Sequence, residues 1–494
     1  MMYIGIDLGT SGVKAVLVDG AQEVLATRTE KLEVSRPHPG WSEQNPEDWW
    51  QAVLRCFAAL REAQPAAFAA VRGIGLSGQQ HGAVLLGEGG RMLRPCILWN
   101  DLRSGAECAE IERRFPRSRE VCANIAMPGF TAPKLLWVAR HEPEVFAAVR
   151  HVLLPKAWVR FRLTAEMIED MSDASGTLWL NVGGRRWSDE ALAASDLTEA
   201  AMPSLCEGTD PAGRVTRALA TEWGWEVPPV LAGSAGDNAA GAVGIGAIAP
   251  GSAFLSLGTS GVLWVTTDRL RLGTRSAIHA FCHAIPATWH QMGVTLSAAA
   301  SLAWWARVTG MEEAALLEEL PERMERPSEA IFLPYLSGER TPHNDPEIRG
   351  GFLGLSQDTS RAALTQAVLE GVAFSFRDAL DGLRESGSVL TEADVIGGGS
   401  RSARWVRILA SVLDLPLHRL KHGERGGAFG AARLARMAVT GEAPADVCGA
   451  PERAETVLPD PALRDAYAAV LPRYRALYPA VRGLVAEVDT GAEP

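Results

Sequence analysis

The chain has no Cys-x-x-Cys pair, no Gly-x-x-x-x-Gly-Lys-Ser/Thr loop, and no uninterrupted apolar run near the roughly 20 residues that span a bilayer. Each absence excludes something. Its seven cysteines (Cys56, Cys96, Cys108, Cys122, Cys206, Cys282 and Cys448) lie far apart and are odd in number, which argues for reduced, cytosolic thiols rather than a disulfide framework. The N-terminus lacks a basic segment, and Asp7 with the glycines after it breaks the first apolar stretch. A soluble, cytoplasmic protein with no membrane partner is therefore expected. Positive charge is in the minority: 48 Lys and Arg against 59 Asp and Glu leave a formal net charge of −11. The cations are scattered among acids, so a nucleic-acid backbone would be repelled and no such partner is expected.

What is present is an ordinary globular composition, 47% hydrophobic and 22% charged, in 494 residues. That length exceeds what one core usually organises, so two or more domains are expected. An internal repeat supports this. Residues 8–13 and 257–262 both read Leu-Gly-Thr-Ser-Gly-Val, each between apolar runs. The pattern predicts strand, tight turn, strand, with glycine supplying positive φ. The copies lie half a chain apart, which predicts two domains of similar topology, 1–246 and 247–494, divided where Ile245–Pro250 breaks the pattern.

Further along, Glu23–Val34 reads as a third strand and Val71–Leu76 as a buried one. A helix starts at Asn45-Pro46, with Asn as cap and Glu47 and Asp48 in its first turn. Helices are predicted near Ser297–Val308, Ser360–Glu385 and Ser402–Val412, a strand at Asp394–Ile396, and a helical tail from about Pro451. Hairpins followed by alternating helices and strands indicate an α/β class with mixed sheets.

The Gly-Thr-Ser turns (Gly9, Thr10, Ser11 and Gly258, Thr259, Ser260) are candidate phosphate cradles, because backbone N–H groups in a tight turn converge on an anion and the hydroxyls add donors. The first copy is flanked by Asp7 and Lys14, the second by Ser256 and Leu263. A carboxylate beside a phosphate loop is repulsive unless a cation lies between, so Asp7 is the candidate for organising Mg²⁺. Its alternative is a turn cap.

Asp237, in Gly233–Gly244, falls at or just before a helix N-terminus, whose dipole would keep it ionised and able to accept a proton. An N-cap role satisfies the same placement. Gly397, Gly398 and Gly399, between a strand and a helix, suit close approach of a ligand. Gln79-Gln80-His81 and Trp99-Asn100-Asp101-Leu102-Arg103 put amide, imidazole and aromatic groups beside apolar runs, as hydroxyl recognition requires. Gly73–Gly78 fits Gly-x-Gly-x-x-Gly, but a strand-like run follows it instead of a helix, so a dinucleotide site is excluded. His279, Cys282 and His283 have a spacing that could hold a metal on a helix, with no fourth ligand evident.

Taken together, the segments Tyr3–Lys14, Ser35–Gln44, Ile97–Arg103, Met127–Trp137, Leu333–Asn344 and Val395–Ser400 resemble the xylulokinase branch of the FGGY carbohydrate kinase family, over essentially the whole chain. The resemblance implies two actin-like (ribonuclease H-like) domains with the active site in the cleft between them. It also implies ATP and Mg²⁺ as cosubstrate and cofactor, and phosphorylation of D-xylulose to D-xylulose 5-phosphate. L-ribulose, glycerol and gluconate are the rival acceptors, and an actin-like ATPase without a sugar is the rival activity. By the same resemblance Asp237 is the catalytic base and Asp7 is needed near Mg²⁺. Gln80 and His81 contact the ketose, with Trp99, Asp101, Arg103 and Asn238 close by. The two Gly-Thr-Ser turns with Lys14 hold the phosphates, Gly397–Gly399 approach the adenosine, and a homodimer is suggested. Gln80 departs from the bacterial pattern, where methionine is common.

Overall fold

The computed structural model describes residues 1–421 and 426–489, with side chains to residue 484 in the last helix. The repeat folds as expected into two antiparallel hairpins, each opening a seven-stranded mixed sheet. In the first half, β1 (Met2–Leu8), β2 (Gly12–Asp19), β3 (Val24–Lys31), β4 (Val71–Gly78), β5 (Pro211–Arg214) and β6 (Val230–Ala232) lie in the order β5-β6-β4-β1-β2-β3. The short β7 (Ala235–Gly236) pairs with the end of β4. In the second half, β8 (Ala253–Leu257), β9 (Gly261–Thr267), β10 (His279–Cys282), β11 (Trp289–Thr295), β12 (Ala393–Ile396), β13 (Leu417–Leu420) and β14 (Arg453–Val457) are ordered β10-β11-β9-β8-β12-β13-β14. The molecule is a two-domain α/β protein. Among the described residues no helix is long and apolar enough to cross a membrane.

The two identical turns close differently. Leu8 pairs with Val13, leaving four residues in the first loop, whereas Leu257 pairs with Gly261, leaving three. None of the four turn glycines has the positive φ that the sequence suggested. The second glycine of each turn is glycine for space. A Cβ on Gly12 would lie 2.6 Å from the Glu30 carbonyl oxygen, and one on Gly261 would lie 2.4 Å from the Phe376 ring.

Helix α1 (Pro46–Ala63) begins as its sequence indicates, with the Asn45 side chain accepting from the Glu47 N–H, and it buries Trp49, Trp50, Val53, Phe57 and Leu60 under the first sheet. α2 (Asp237–Gly244) follows β7 directly. In the second half, α3 (Ala299–Thr309), α4 (Arg361–Glu385, capped by Ser360) and α5 (Ala403–Leu413, capped by Ser402) match the predicted helices closely. The tail departs from expectation. Residues Arg453–Val457 form β14 against β13, because Val457 is buried there, and only then does the last helix, Pro461–Asp489, start.

α6 (Gly427–Thr440) comes late in the chain yet packs on the first sheet, covering β1 and β4, and against α2. Glycine permits this approach. Added Cβ atoms on Gly5, Gly75 and Gly430 would lie 1.8, 1.9 and 1.8 Å from the carbonyl oxygens of Ala428, Ala431 and Ala240. The Gly73-x-Gly75 pattern that mimics a dinucleotide loop thus serves helix-on-sheet packing.

Candidate active site

A cavity of about 260 Å³ lies between the halves, lined by Gln80, His81, Trp99, Asp237 and Asn238 from the first and by Ser256, Gly258, Thr259, Ser260, His279 and Arg340 from the second. Five of the eight candidate catalytic and sugar-contacting residues therefore meet the second turn in one space. At that turn the Gly258 carbonyl accepts from Ala299 N–H (2.8 Å), and the Thr259 carbonyl accepts from Ala298 N–H (3.0 Å). Because N–H and C=O point opposite ways across a trans peptide, the N–H groups of Thr259 and Ser260 face away from α3. They are free to meet an anion.

The first turn is built differently. Thr10 Oγ1 accepts from Trp99 Nε1 (2.9 Å) and donates to Gln79 Oε1 (2.9 Å), while Gln44 Nε2 holds the Thr10 carbonyl (2.8 Å). Thr10's hydroxyl proton is thus committed to Gln79 and unavailable as the phosphate donor the sequence suggested. Ser11, exposed at the tip, and the turn's backbone remain.

Asp237 is the first residue of α2, and its cap position is Gly236, so the carboxylate is not spent on capping the helix. Oδ1 accepts from the N–H (2.7 Å) and Nδ2 (3.0 Å) of Asn238. The helix dipole does not dominate here as the sequence suggested. Loss of solvent, followed by the charge of Asp7, pushes the Asp237 carboxyl up to about 7. Asp7, on β1, is itself raised by burial, against a hydrogen bond from Ser77 Oγ (2.7 Å) and the charge of Lys14, its cross-strand partner. The start of α6 abuts it, since a Cβ on Gly427 would lie 2.9 Å from Asp7 Oδ1. Two desolvated carboxylates, the charge of Asp7 raising Asp237 further, are both hard oxygen donors and fit a Mg²⁺ ion.

His81 has a positive φ of 69°, held by Thr131 Oγ1 (3.1 Å) and Lys134 Nζ (2.8 Å), which both donate to its carbonyl. Its Nδ1 lies 2.6 Å from the Gly176 carbonyl. A carbonyl only accepts, so Nδ1 carries the proton and Nε2 is left as an acceptor. Burial, with Lys134 and Arg340 adding to it against the Gly176 bond, pushes the imidazole down to about 3, so it is neutral. Gln80 Nε2 donates to the Ser172 carbonyl (3.2 Å), and Ser172 Oγ accepts from Gly236 N–H (3.1 Å). The helical turn Met171–Ala174 thereby positions both Gln80 and the residue before Asp237. Nothing local in the sequence marked Ser172 for this.

Gly397–Gly399 do not line this cavity. Gly398 and Gly399 line a second one of about 750 Å³, with Trp405, Leu302 and Leu317 among its walls. Gly397, at φ 88°, joins the two: a Cβ there would lie 2.8 Å from the Leu257 carbonyl and 3.1 Å from Gly258 N. A nucleoside-sized space thus leads directly to the second turn.

Two candidates lie elsewhere. Arg103 bonds Asp101 twice (2.9 and 2.7 Å), pairs with Glu43 (2.7 Å) and stacks 3.6 Å over Trp41. Asp101 also accepts from Ser42 N–H (2.6 Å). Neither lines the cavity; both fix the segment that presents Trp99, because the distant Trp41 and Glu43 draw them inward. The histidine-cysteine group is on strand β10 and its loop instead of a helix. There His279 pairs with Asn124 Oδ1 (2.9 Å) and His283 faces the Ala247 carbonyl (3.3 Å), so the two rings do not converge. A buried trio, Glu169, Asp170 and Asp173, has metal-like spacing, but the Lys156 ammonium occupies it and stays charged, since the three acids outweigh its burial. Arg340 was missed as a site residue, although it lies inside the Leu333–Asn344 segment.

Comparison with known proteins gives this geometry its context. Residues 2–244 match the FGGY family of carbohydrate kinases, N-terminal domain, and residues 253–439 match its C-terminal domain. The xylulose kinase of Escherichia coli K12 is 49% identical over 442 residues, 89% of this chain and 91% of that protein. The xylulose kinase of Klebsiella pneumoniae is 50% identical over 444 residues, covering 90% and 91%. Among solved structures, a xyloylose kinase from Brucella ovis superposes with a TM-score of 0.95 at 52% identity, over 98% of this chain and 100% of that one. A carboxylate and a Gly-Thr-Ser turn meeting at one cavity accord with a two-part family match of this extent: the chain belongs to the FGGY family of carbohydrate kinases.

Proposed function

We propose that the chain transfers the γ-phosphoryl group of ATP to the terminal hydroxyl of D-xylulose, giving ADP and D-xylulose 5-phosphate. The observation that carries this reading is the convergence of Asp237, His81 and Gln80 with the Thr259-Ser260 turn in one cavity between the halves. The nucleoside lies in the larger cavity beside Gly398 and Gly399, with its phosphates passing Gly397 to the turn. Thr259 and Ser260 N–H groups and Lys14 orient them. Asp7, directly or through water, holds Mg²⁺, which supplies charge neutralisation on the phosphates.

Asp237 accepts the proton of the C5 hydroxyl as its oxygen attacks phosphorus. His81 Nε2 accepts a hydrogen bond from another sugar hydroxyl, and the Gln80 carboxamide offers both a donor and an acceptor. Closure of the halves excludes water as a competing acceptor. Seven free cysteines suit a reducing cytoplasm, and the sequence resemblance suggests a homodimer.

The test is ADP release with Mg-ATP against D-xylulose, L-ribulose, D-ribulose, glycerol and gluconate, beside a control without sugar. A clear preference for D-xylulose is expected; a flat response above a high sugar-free rate would refute the reading. Asp237→Ala should lower turnover by about 10²- to 10⁴-fold while nucleotide still binds. Unchanged turnover would remove Asp237 from the mechanism.

A further inference from the structure

Among the described residues lining the smaller cavity, Arg340 is the sole cationic side chain. No described residue bonds or pairs with its guanidinium. Its neighbour Glu339 is otherwise engaged: Oε1 accepts from Leu296 N–H (2.9 Å) and from the Arg340 N–H (2.7 Å). The root of the side chain is fixed. Thr341 N–H donates to the Val294 carbonyl (3.0 Å), Val294 N–H donates to Thr341 Oγ1 (3.0 Å), and that hydroxyl donates to the Ala277 carbonyl (3.1 Å). A rigidly rooted guanidinium that faces a cavity, with no hydrogen-bond or ion-pair partner among the described residues, is a donor set kept for a ligand.

Its position says which part of the ligand. The guanidinium adds to the positive potential that keeps His81 and His279 neutral, whereas Asp237 feels chiefly Asp7. Its Nη2 would lie 3.6 Å from a Cβ on Gly129, in the loop whose carbonyl Lys134 holds. Arg340 therefore stands at the His81 end of the cavity, away from the base. A ketopentose whose C5 hydroxyl meets Asp237 carries its C2 carbonyl toward the opposite end.

We propose that Arg340 is a specificity-determining residue that donates hydrogen bonds to the C2 carbonyl oxygen of the ketose and thereby selects the open-chain sugar. The chemistry requires such a selection. In the ring form of a 2-ketopentose, O5 is bonded to C2 and has no proton to give, so phosphorylation at O5 needs the free carbonyl. A charged donor at that carbonyl stabilises the reactive form and leaves a polyol, which has a hydroxyl there, with the weaker fit. The inference rests on the ketose reading above.

The experiment is steady-state ADP release with D-xylulose and with xylitol, its C2-reduced counterpart, for the wild type, Arg340→Gln and Arg340→Lys. A charge-assisted hydrogen bond is worth on the order of 10- to 100-fold, so Arg340→Gln should raise KM for D-xylulose by about that factor and change kcat and the xylitol KM by less than about threefold. Arg340→Lys should fall between, its single-point charge replacing the fork in part. Equal losses on both substrates, or a loss confined to kcat, overturn the proposal and place Arg340 on the transferred phosphoryl group. Should Arg340→Gln not fold, judged by its melting curve and ADP binding, the Arg340→Lys comparison decides by the same criterion. A wild type indifferent to D-xylulose in the acceptor panel would instead defeat the ketose reading itself.

Discussion

At Asp237 two demands conflict: a base must be ionised, yet the site withdraws solvent from it and sets Asp7 nearby. The sign is definite. A carboxyl raised to about 7 is protonated, and useless as a base, below that pH. The profile of kcat/KM for the sugar at low free Mg²⁺ should therefore show an acid limb centred near 7, falling tenfold per pH unit below it, because that ratio reports groups of the sugar-free enzyme. Bound Mg²⁺ acts the other way, so raising its concentration should move the limb to lower pH. A rate flat from pH 5 to 8 would mean that Asp237 stays ionised throughout and that burial does not govern it. His81 contributes nothing to such a limb, since it stays neutral down to about 3. It offers the sugar an acceptor at any working pH.

Among the elements, α6 decides how the base is held. It lies between the first sheet and α2, with backbone contacts that leave no room for a methyl group at Gly430. Gly430→Ala must push α6 and α2 apart, and Asp237 heads α2. Overpacking of this kind costs about 1–3 kcal/mol, so a lower urea midpoint is expected together with a fall in kcat larger than the change in nucleotide affinity. Wild-type kcat in that variant would show that α2 is held from elsewhere. The sequence disclosed only part of this. The hairpins, α1 with its Asn45 cap and the small residues of α2 were legible because caps, alternation and turns are local. The return of α6 was not, because no local pattern says which sheet a late amphipathic helix covers. Asp101 and Arg103 were misplaced for the same reason: their partners Glu43 and Trp41 sit about sixty residues earlier, and only the fold brings them together.

For the molecule as a whole, α6 makes the two halves one folding unit. Tyr3, Val16 and Val18 on the first sheet are buried against Ala428, Phe429, Ala432 and Ala435 of α6. Arg433 adds bonds to the Val243 and Gly244 carbonyls (2.9 and 3.1 Å) and to Gln22 Oε1 (2.8 Å). A fragment ending at residue 246, the division that the repeat suggests, would carry both hairpin strands yet leave that face in water. Each large apolar side chain so exposed forfeits about 1.5–3 kcal/mol, and a domain's net stability is only about 5–15 kcal/mol. The isolated fragment 1–246 should therefore lack near-ultraviolet circular dichroism and associate on gel filtration, whereas the full chain should unfold in one calorimetric transition. Fusing residues 426–441 to the fragment through a flexible linker should restore a folded monomer. A fragment 1–246 that is folded and monomeric unaided would make the halves independent. Closure over the sugar would then be a docking of two independently finished domains, whereas with α6 shared it is a hinge between two domains that fold as one unit.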